Sequence, residues 1–258
     1  MCTLIATRHC QLSHVGGERV TLSEVQVGLV VYTLMAATAE PGAATADLDT
    51  GTAELDTGTA DLGPRPPLVV GVDEVGRGSA IGPLYVAAVI IRDDVDKTLV
   101  RDSKKLSPSR RILADTYIRA TAFAYEIEPA SMQEIEDLNV TGATIAAWHR
   151  CLERLTRRFG RLDKVIVDGT GWKPFADVPA VVEPKADDRY PCVAAASVLA
   201  KVARDRYIGE LVNEHPELRG YGIERNMGYL SSEHLHALRT HGRTKFHRRG
   251  FKIKALNE

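Results

Sequence analysis

Aromatic residues make up only 6% of this 258-residue chain, and there are only four cysteines: Cys2, Cys10, Cys151 and Cys192. The cysteines form no CxxC pair and no His/Cys ligand spacing. That argues against a disulfide framework and a structural zinc site, and fits a reducing, cytoplasmic compartment. An apolar run of the roughly 20 residues that a membrane span needs is also missing. The nearest candidate, Val25 to Ala39, ends in Ala37-Thr38-Ala39 like a signal-peptide cleavage site. However, no compact basic region precedes it, and Gln26 and Tyr32 interrupt it. Met35 offers an alternative translation start. The chain has no excess charge of either sign, with a net of −1.

The charge distribution is more informative. Residues 1–65 hold three basic and eight acidic side chains, whereas residues 219–258 hold nine Lys/Arg, three Glu and four His. A basic C-terminal end of this kind attracts phosphate, although a solvated helical surface has the same composition. The apolar content of 44% and charged content of 26% are those of an ordinary globular protein.

Residues 40–67 read as a linker. Leu48-Asp-Thr-Gly-Thr-Ala53 recurs as Leu55-Asp-Thr-Gly-Thr-Ala60, and Pro64, Pro66 and Pro67 close the stretch. Small, polar and acidic residues cannot bury enough apolar area to offset chain entropy, so residues 1–67 are expected to form a disordered leader and residues 68–258 the folded domain.

From Leu68 onward, strand and helix signals alternate. Strands are predicted over Leu68–Asp73, Leu84–Arg92, Phe123–Glu128, Leu162–Asp168 and Val178–Glu183. Ser107-Pro108 predicts a capped helix to about Ala122. Asn139 or Thr141 predicts the start of another, running to about Arg158 with Ile145, Trp148, Leu152 and Leu155 on one face. Tyr190–Val212 reads as a long helix, and Ser231 or Ser232 as the cap of a further helix through Leu238. The fold class is therefore α/β, with a mixed or parallel sheet.

Two acids stand together at Asp73-Glu74 just after a strand, Asp168 ends another, and Asp187 lies beside Asp188. Acids at strand ends of an α/β sheet can converge on one edge. Held close, they repel and raise one another's pKa values unless a cation neutralises them, and hard oxygen ligands select Mg²⁺ or Mn²⁺. Any one of these acids could equally be a turn former or a helix cap. Gly76-Arg77-Gly78 follows the first pair; glycines let backbone amides approach a ligand, and an arginine between them can meet phosphate or hold the loop.

Taken together, GVDEVGRGSAIGPLYVAAVII from Gly71, DSKKLS at 102–107, VDG at 167–169, KADDRYPCVAAASVLAKVARDR at 185–206, MGYLSSEHLHALRTHG and TKFHRRGF resemble ribonuclease HII in order and spacing. The resemblance implies a ribonuclease-H-like mixed sheet flanked by helices, with a helical C-terminal segment. It implies four metal-binding carboxylates at Asp73, Glu74, Asp168 and Asp187, with Asp188 competing for the last place. It also implies that Gly76, Arg77 and Gly78 read the ribose 2′-hydroxyl, the group that distinguishes RNA from DNA, and that Tyr229 packs on the neighbouring deoxyribose. Ser103, Lys104, Lys185, Ser197, Lys201 and Arg204 fall in motifs that contact phosphate or support the site. Asp205, well inside the long helix, reads as structural. The implied partners are RNA–DNA hybrids and ribonucleotide-containing duplex DNA, acted on by a monomer. A hybrid-binding protein without catalysis and another ribonuclease-H-like nuclease are the alternatives.

Overall fold

The computed structural model describes residues 66–92, 95, 96, 98, 100 and 106–256. The expectation for the leader, and those for Ser103 and Lys104, lie outside the described residues apart from Pro66 and Pro67. Five strands form one sheet: β1 (Val69–Val75), β2 (Leu84–Ile90), β3 (Ala124–Ala130), β4 (Lys164–Asp168) and β5 (Ala180–Glu183), in the order β3-β2-β1-β4-β5. β1 pairs antiparallel with β2, and β2 antiparallel with β3. β4 runs parallel to β1 on its other side, and β5 parallel to β4. The sheet is therefore mixed, with β1 at its centre.

Alternation along the strands sends neighbouring side chains to opposite faces. Val70, Val72, Leu84, Val86, Ala88, Val165 and Val167 face a core shared with Trp148, Cys151, Leu152 and Leu155 of α2 (Met132–Phe159). Ala87 and Val89 face the other core, shared with Ala114 and Ile118 of α1 (Pro108–Thr121) and with Ala194–Ala196, Val198 and Leu199 of α3 (Pro191–Glu214). The first half of α3 is buried nearly all round against the sheet and α1, and its last turns enter a third apolar cluster. That cluster joins Ile208, Leu211 and Val212 to Leu218, Tyr221, Ile223, Ala237, Leu238 and Ile253 of the C-terminal region. The small side chains of Ala194-Ala195-Ala196 let α3 approach closely, and Gly71 completes the fit. A Cβ at Gly71 would lie 2.6 Å from the Cys192 carbonyl oxygen.

Local signals explain the helix ends. The Ser107 hydroxyl accepts from the Arg110 N–H, with Pro108 in the first turn. Ser231 caps α5 (Ser232–His241) by accepting from the His234 N–H; the single turn Ile223–Asn226 is α4. α2 starts earlier than the sequence suggests. Ser131 and Glu134 form a reciprocal capping box at its true start, and Asn139 interrupts it with φ 57° and ψ 171°. Asn139 still caps the second stretch, its Oδ1 accepting from the N–H groups of Thr141 and Gly142. Among the described residues, no helix is long and apolar enough to cross a membrane.

Candidate active site

The register of the sheet assembles the acids. Gly71 and Asp73 share the α3 face of β1, and Ile166 and Asp168 share the same face of β4. The Val72↔Val167 pairing sets the two aspartates side by side, one residue further on. The third comes from the 3-10 turn Ala186–Asp188, which delivers the chain into α3. One carboxylate oxygen each of Asp73, Asp168 and Asp187 lie within 4.8 Å of one another. Asp187 is buried and Asp188 exposed, so the turn directs Asp187 to the group.

Each acid is held in place. The Asp73 carboxylate accepts from the Glu74 N–H at 2.7 Å and from the Ser197 side chain of α3, while the Asp73 carbonyl accepts from the Trp148 indole at 3.3 Å. Asp168 Oδ1 accepts from the Ala186 N–H at 2.8 Å, tying β4 to the turn that carries Asp187. Burial pushes the Asp73 pKa well above the usual carboxylate range; the Glu74 charge adds to this, the two hydrogen bonds oppose it, and Asp168 adds a smaller push upward. Such a cluster of buried like charges suits a divalent cation, and an all-oxygen donor set suits a hard one. A group built from Asp73, Asp168 and Asp187 therefore fits a metal centre on its own chemistry.

Three of the four expected acids make up this group, and the charge of the fourth, Glu74, lies close enough to raise the Asp73 pKa. Adjacent residues of a strand point to opposite faces, so Glu74 lies on the α2 side. There its Oε1 is 3.6 Å from the Arg77 guanidinium, and it is not a member of the three-acid group. Arg77 also donates to the Thr141 hydroxyl at 3.0 Å, which joins the loop to the capped start of the second stretch of α2.

The chain leaves β1 through Gly76-Arg77-Gly78. Gly76 has φ 92°, and a Cβ there would lie 2.6 Å from the Arg204 Cδ. This position therefore needs glycine for both conformation and space. Gly78 is exposed. Isolated bridges pair Ser79 with Tyr229 and Ile81 with His247, so the loop is flanked by two C-terminal segments. Tyr229 is 38% exposed, which is not the environment of a core-filling aromatic. Its ring lies beside Gly78 and has the Arg204 guanidinium 5.5 Å from its centroid. Arg204 is fully buried. It donates to the Ser79 hydroxyl at 2.7 Å and to the Met227 carbonyl at 2.9 Å, so it supports the loop from beneath and does not reach out to a ligand.

Ser197 is the buried partner of Asp73. Lys201, one turn further along α3, pairs with Asp205 at 2.6 Å, and Asp205 also meets Arg111 at 3.6 Å. Lys185 is exposed in a left-handed conformation just before the Ala186–Asp188 turn. Sequence reasoning missed Thr141 and Arg248 as partners of the loop, and Trp148 as a partner of Asp73. No periodic signal marks the first two; Trp148 was recognised only as a core residue.

The ribonuclease HII family model matches residues 70–254. Ribonuclease HII of Pelagibacter ubique is 38% identical over 184 residues, covering 71% of this chain and 95% of that protein. The Verminephrobacter eiseniae protein is 43% identical over 184 residues, covering 71% and 85%. Among solved structures, the PCNA:RNase HII complex from Archaeoglobus fulgidus matches with a TM-score of 0.56 at 28% identity, over 70% of this chain and 92% of that one. Ribonuclease H2 from Pyrococcus horikoshii matches with a TM-score of 0.53 at 27% identity, over 73% and 95%. A Bst-RNase HIII in complex with Mn²⁺ shares the fold, with a TM-score of 0.57 at 18% identity over 74% and 70% of the two chains. With a largely buried acid cluster on the two inner strands β1 and β4 and these relatives, the chain belongs to the ribonuclease HII family and is a ribonuclease H.

Proposed function

We propose that this protein is an endonuclease that hydrolyses the RNA strand of RNA–DNA hybrids and nicks duplex DNA on the 5′ side of an embedded ribonucleotide, leaving 3′-hydroxyl and 5′-phosphate ends. The observation that carries this reading is the meeting of Asp73, Asp168 and Asp187 within 4.8 Å, with Asp73 just ahead of the Gly76–Gly78 loop in the chain. Asp73, Asp168 and Asp187, with Glu74 as the fourth ligand, would hold Mg²⁺ or Mn²⁺ as a two-metal site, which when bound supplies a more acidic water and neutralises charge developing on the phosphate.

The chain's own groups do the rest. Ser197 and the Glu74 N–H hold the Asp73 carboxylate, and the Ala186 N–H holds that of Asp168, so the acids are positioned before substrate arrives. The Gly76-Arg77-Gly78 backbone offers amide donors to a 2′-hydroxyl, and the exposed Tyr229 ring offers an apolar face to the adjoining sugar. Exposed Lys245, Arg249, Lys252 and Lys254 grip backbone phosphates, with an affinity that falls as salt rises. Residues 68–258 act as one catalytic domain, and the protein works as a monomer.

The test is incubation with labelled duplexes carrying none, one, four or many ribonucleotides, with Mg²⁺, Mn²⁺ or chelator. One metal-dependent nick 5′ of a lone ribonucleotide supports the reading; cleavage only at strand ends, or cutting of all-DNA duplex, refutes it. Asp73→Asn should abolish cleavage while leaving duplex binding intact, and unchanged turnover would remove Asp73 from its role.

A further inference from the structure

Two guanidinium groups lie beneath the Gly-Arg-Gly loop, one from each end of the C-terminal half. Arg204 of α3 is 0% exposed and Arg248 is 1% exposed. Neither has an ion-pair partner among the described residues, although burying a charge without a counterion is costly. Burial, followed by the Arg204 charge, lowers the Arg248 pKa to about 10.

What the two groups hold explains their presence. Arg248 Nε donates to the Gly82 carbonyl at 2.8 Å, and Nη1 to the Arg77 carbonyl at 3.0 Å. The Arg248 N–H donates to the Ala80 carbonyl at 2.8 Å, and the Ala80 N–H to the Gly228 carbonyl at 2.9 Å. Arg248 is thus fastened to both ends of the loop, and Arg204 to its middle and to the segment that carries Tyr229.

The bond to Arg77 has a directional consequence. In a trans peptide the carbonyl of one residue and the N–H of the next point in opposite directions, and there are no cis peptide bonds. A buried guanidinium that draws the Arg77 carbonyl inward therefore turns the Gly78 N–H outward, at an exposed residue beside the Tyr229 ring.

We propose that Arg248 is a positioning residue for ribose recognition, which aims the Gly78 N–H at the substrate 2′-hydroxyl by holding the Arg77 carbonyl, while Arg204 holds Tyr229 alongside. This rests on the ribonucleotide-specific reading above. An arginine is required because one planar fork must satisfy two carbonyls at once; a lysine keeps the charge but offers a point donor, and a methionine keeps only the bulk.

Arg248→Lys and Arg248→Met should be compared with the unmutated protein. Dissociation constants are measured in chelator, for duplexes with one ribonucleotide and with none, alongside cleavage kinetics in Mg²⁺. The loss of one directed hydrogen bond predicts that the preference for the ribonucleotide duplex falls about 10-fold in Arg248→Met, and less in Arg248→Lys. KM should rise more than kcat falls, with all-DNA affinity and the Mg²⁺ midpoint unchanged. A folded variant that keeps the full preference, or loses affinity equally for both duplexes, overturns the proposal. Amide exchange of the unmutated protein in chelator tests it without a variant. The Gly78 N–H should be slowed by the one-ribonucleotide duplex and not by all-DNA duplex; equal exchange overturns it. If the unmutated protein shows no preference between the duplexes, it is the underlying ribonucleotide reading that fails.

Discussion

Replacing Gly71 by alanine adds one methyl group and should disturb both stability and catalysis. The new Cβ would lie 2.6 Å from the Cys192 carbonyl oxygen and closer still to the Cys192 carbonyl carbon and the Val193 nitrogen. Favourable heavy-atom contacts begin near 3.5 Å, so α3 must retreat from β1 by roughly 1 Å or more. All three neighbours are backbone and cannot rotate away, which places the cost near the upper end of overpacking, about 3 kcal/mol. In a domain of this size each kcal/mol lowers Tm by about 2–4 °C, so a fall of about 6–12 °C is expected. The same retreat draws Ser197 from Asp73 and carries the Asp187 turn with it. Since a misplacement of about 1 Å can cost up to about 100-fold in rate, kcat should drop by one to two orders of magnitude. Gly209→Ala in the same helix is the control: a Cβ there meets nothing within 4 Å, and alanine should stabilise the helix by about 0.5–1 kcal/mol. Scanning calorimetry and single-turnover cleavage at 25 °C read both effects. A Gly71→Ala protein with Tm within 1 °C and an unchanged rate would refute the packing argument.

Three further outcomes are expected. Asp187→Asn should lower the cleavage rate at saturating Mg²⁺ at least about 100-fold, the scale on which even outer-shell partners of a metal act, whereas the exposed Asp188→Asn should stay within a few-fold. Asn139→Ala loses a cap and keeps a positive φ, so the urea midpoint should fall by an amount equal to about 1–2 kcal/mol, while Asn139→Gly should cost only a few tenths. The His247 pKa is lowered to about 4, by burial first and then by the His234 and Arg243 charges. Against an unfolded value near 6.5, the unfolded chain binds the proton more tightly. The stabilisation is therefore complete above pH 6.5 and is lost as pH falls toward 4, by up to roughly 3 kcal/mol. Urea unfolding against pH should show this slope, and His247→Asn should flatten it; an identical slope in the variant would assign the pH dependence elsewhere.

The parts of the molecule legible in the sequence are those governed by short-range rules. β2 alternates Leu84, Val86 and Ala88 against Ala87 and Val89, and Ser107-Pro108 opens α1 where a capped helix should start. The first stretch of α2 was missed because Met132 to Leu138 is mostly polar and partly exposed; its one signal was the Ser131-x-x-Glu134 pair. Asp73, Asp168 and Asp187 could be named because the resemblance to ribonuclease HII singles them out; Asp168 ends β4 and Asp187 lies in a turn, whereas Asp73 lies inside β1. That Glu74 stands outside the three-acid group follows from strand pleat, which a family motif does not display. The loop clamp could not be read at all. Arg248 sits in a basic stretch and looks like any other surface cation, yet it is buried, and Arg243 spends its guanidinium on the Arg248 and Phe251 carbonyls. The basic tail is thus partly internal structure and partly phosphate-facing surface.

The chain has two tryptophans, and they are neighbours: the rings of Trp148 and Trp172 are 6.0 Å apart, and the Trp148 indole N–H donates to the carbonyl of Asp73 itself. All indole emission of the protein therefore originates beside the acid cluster. A change of intrinsic fluorescence on cation loading is therefore expected, in the intact protein and without a dye, a label or a turnover event.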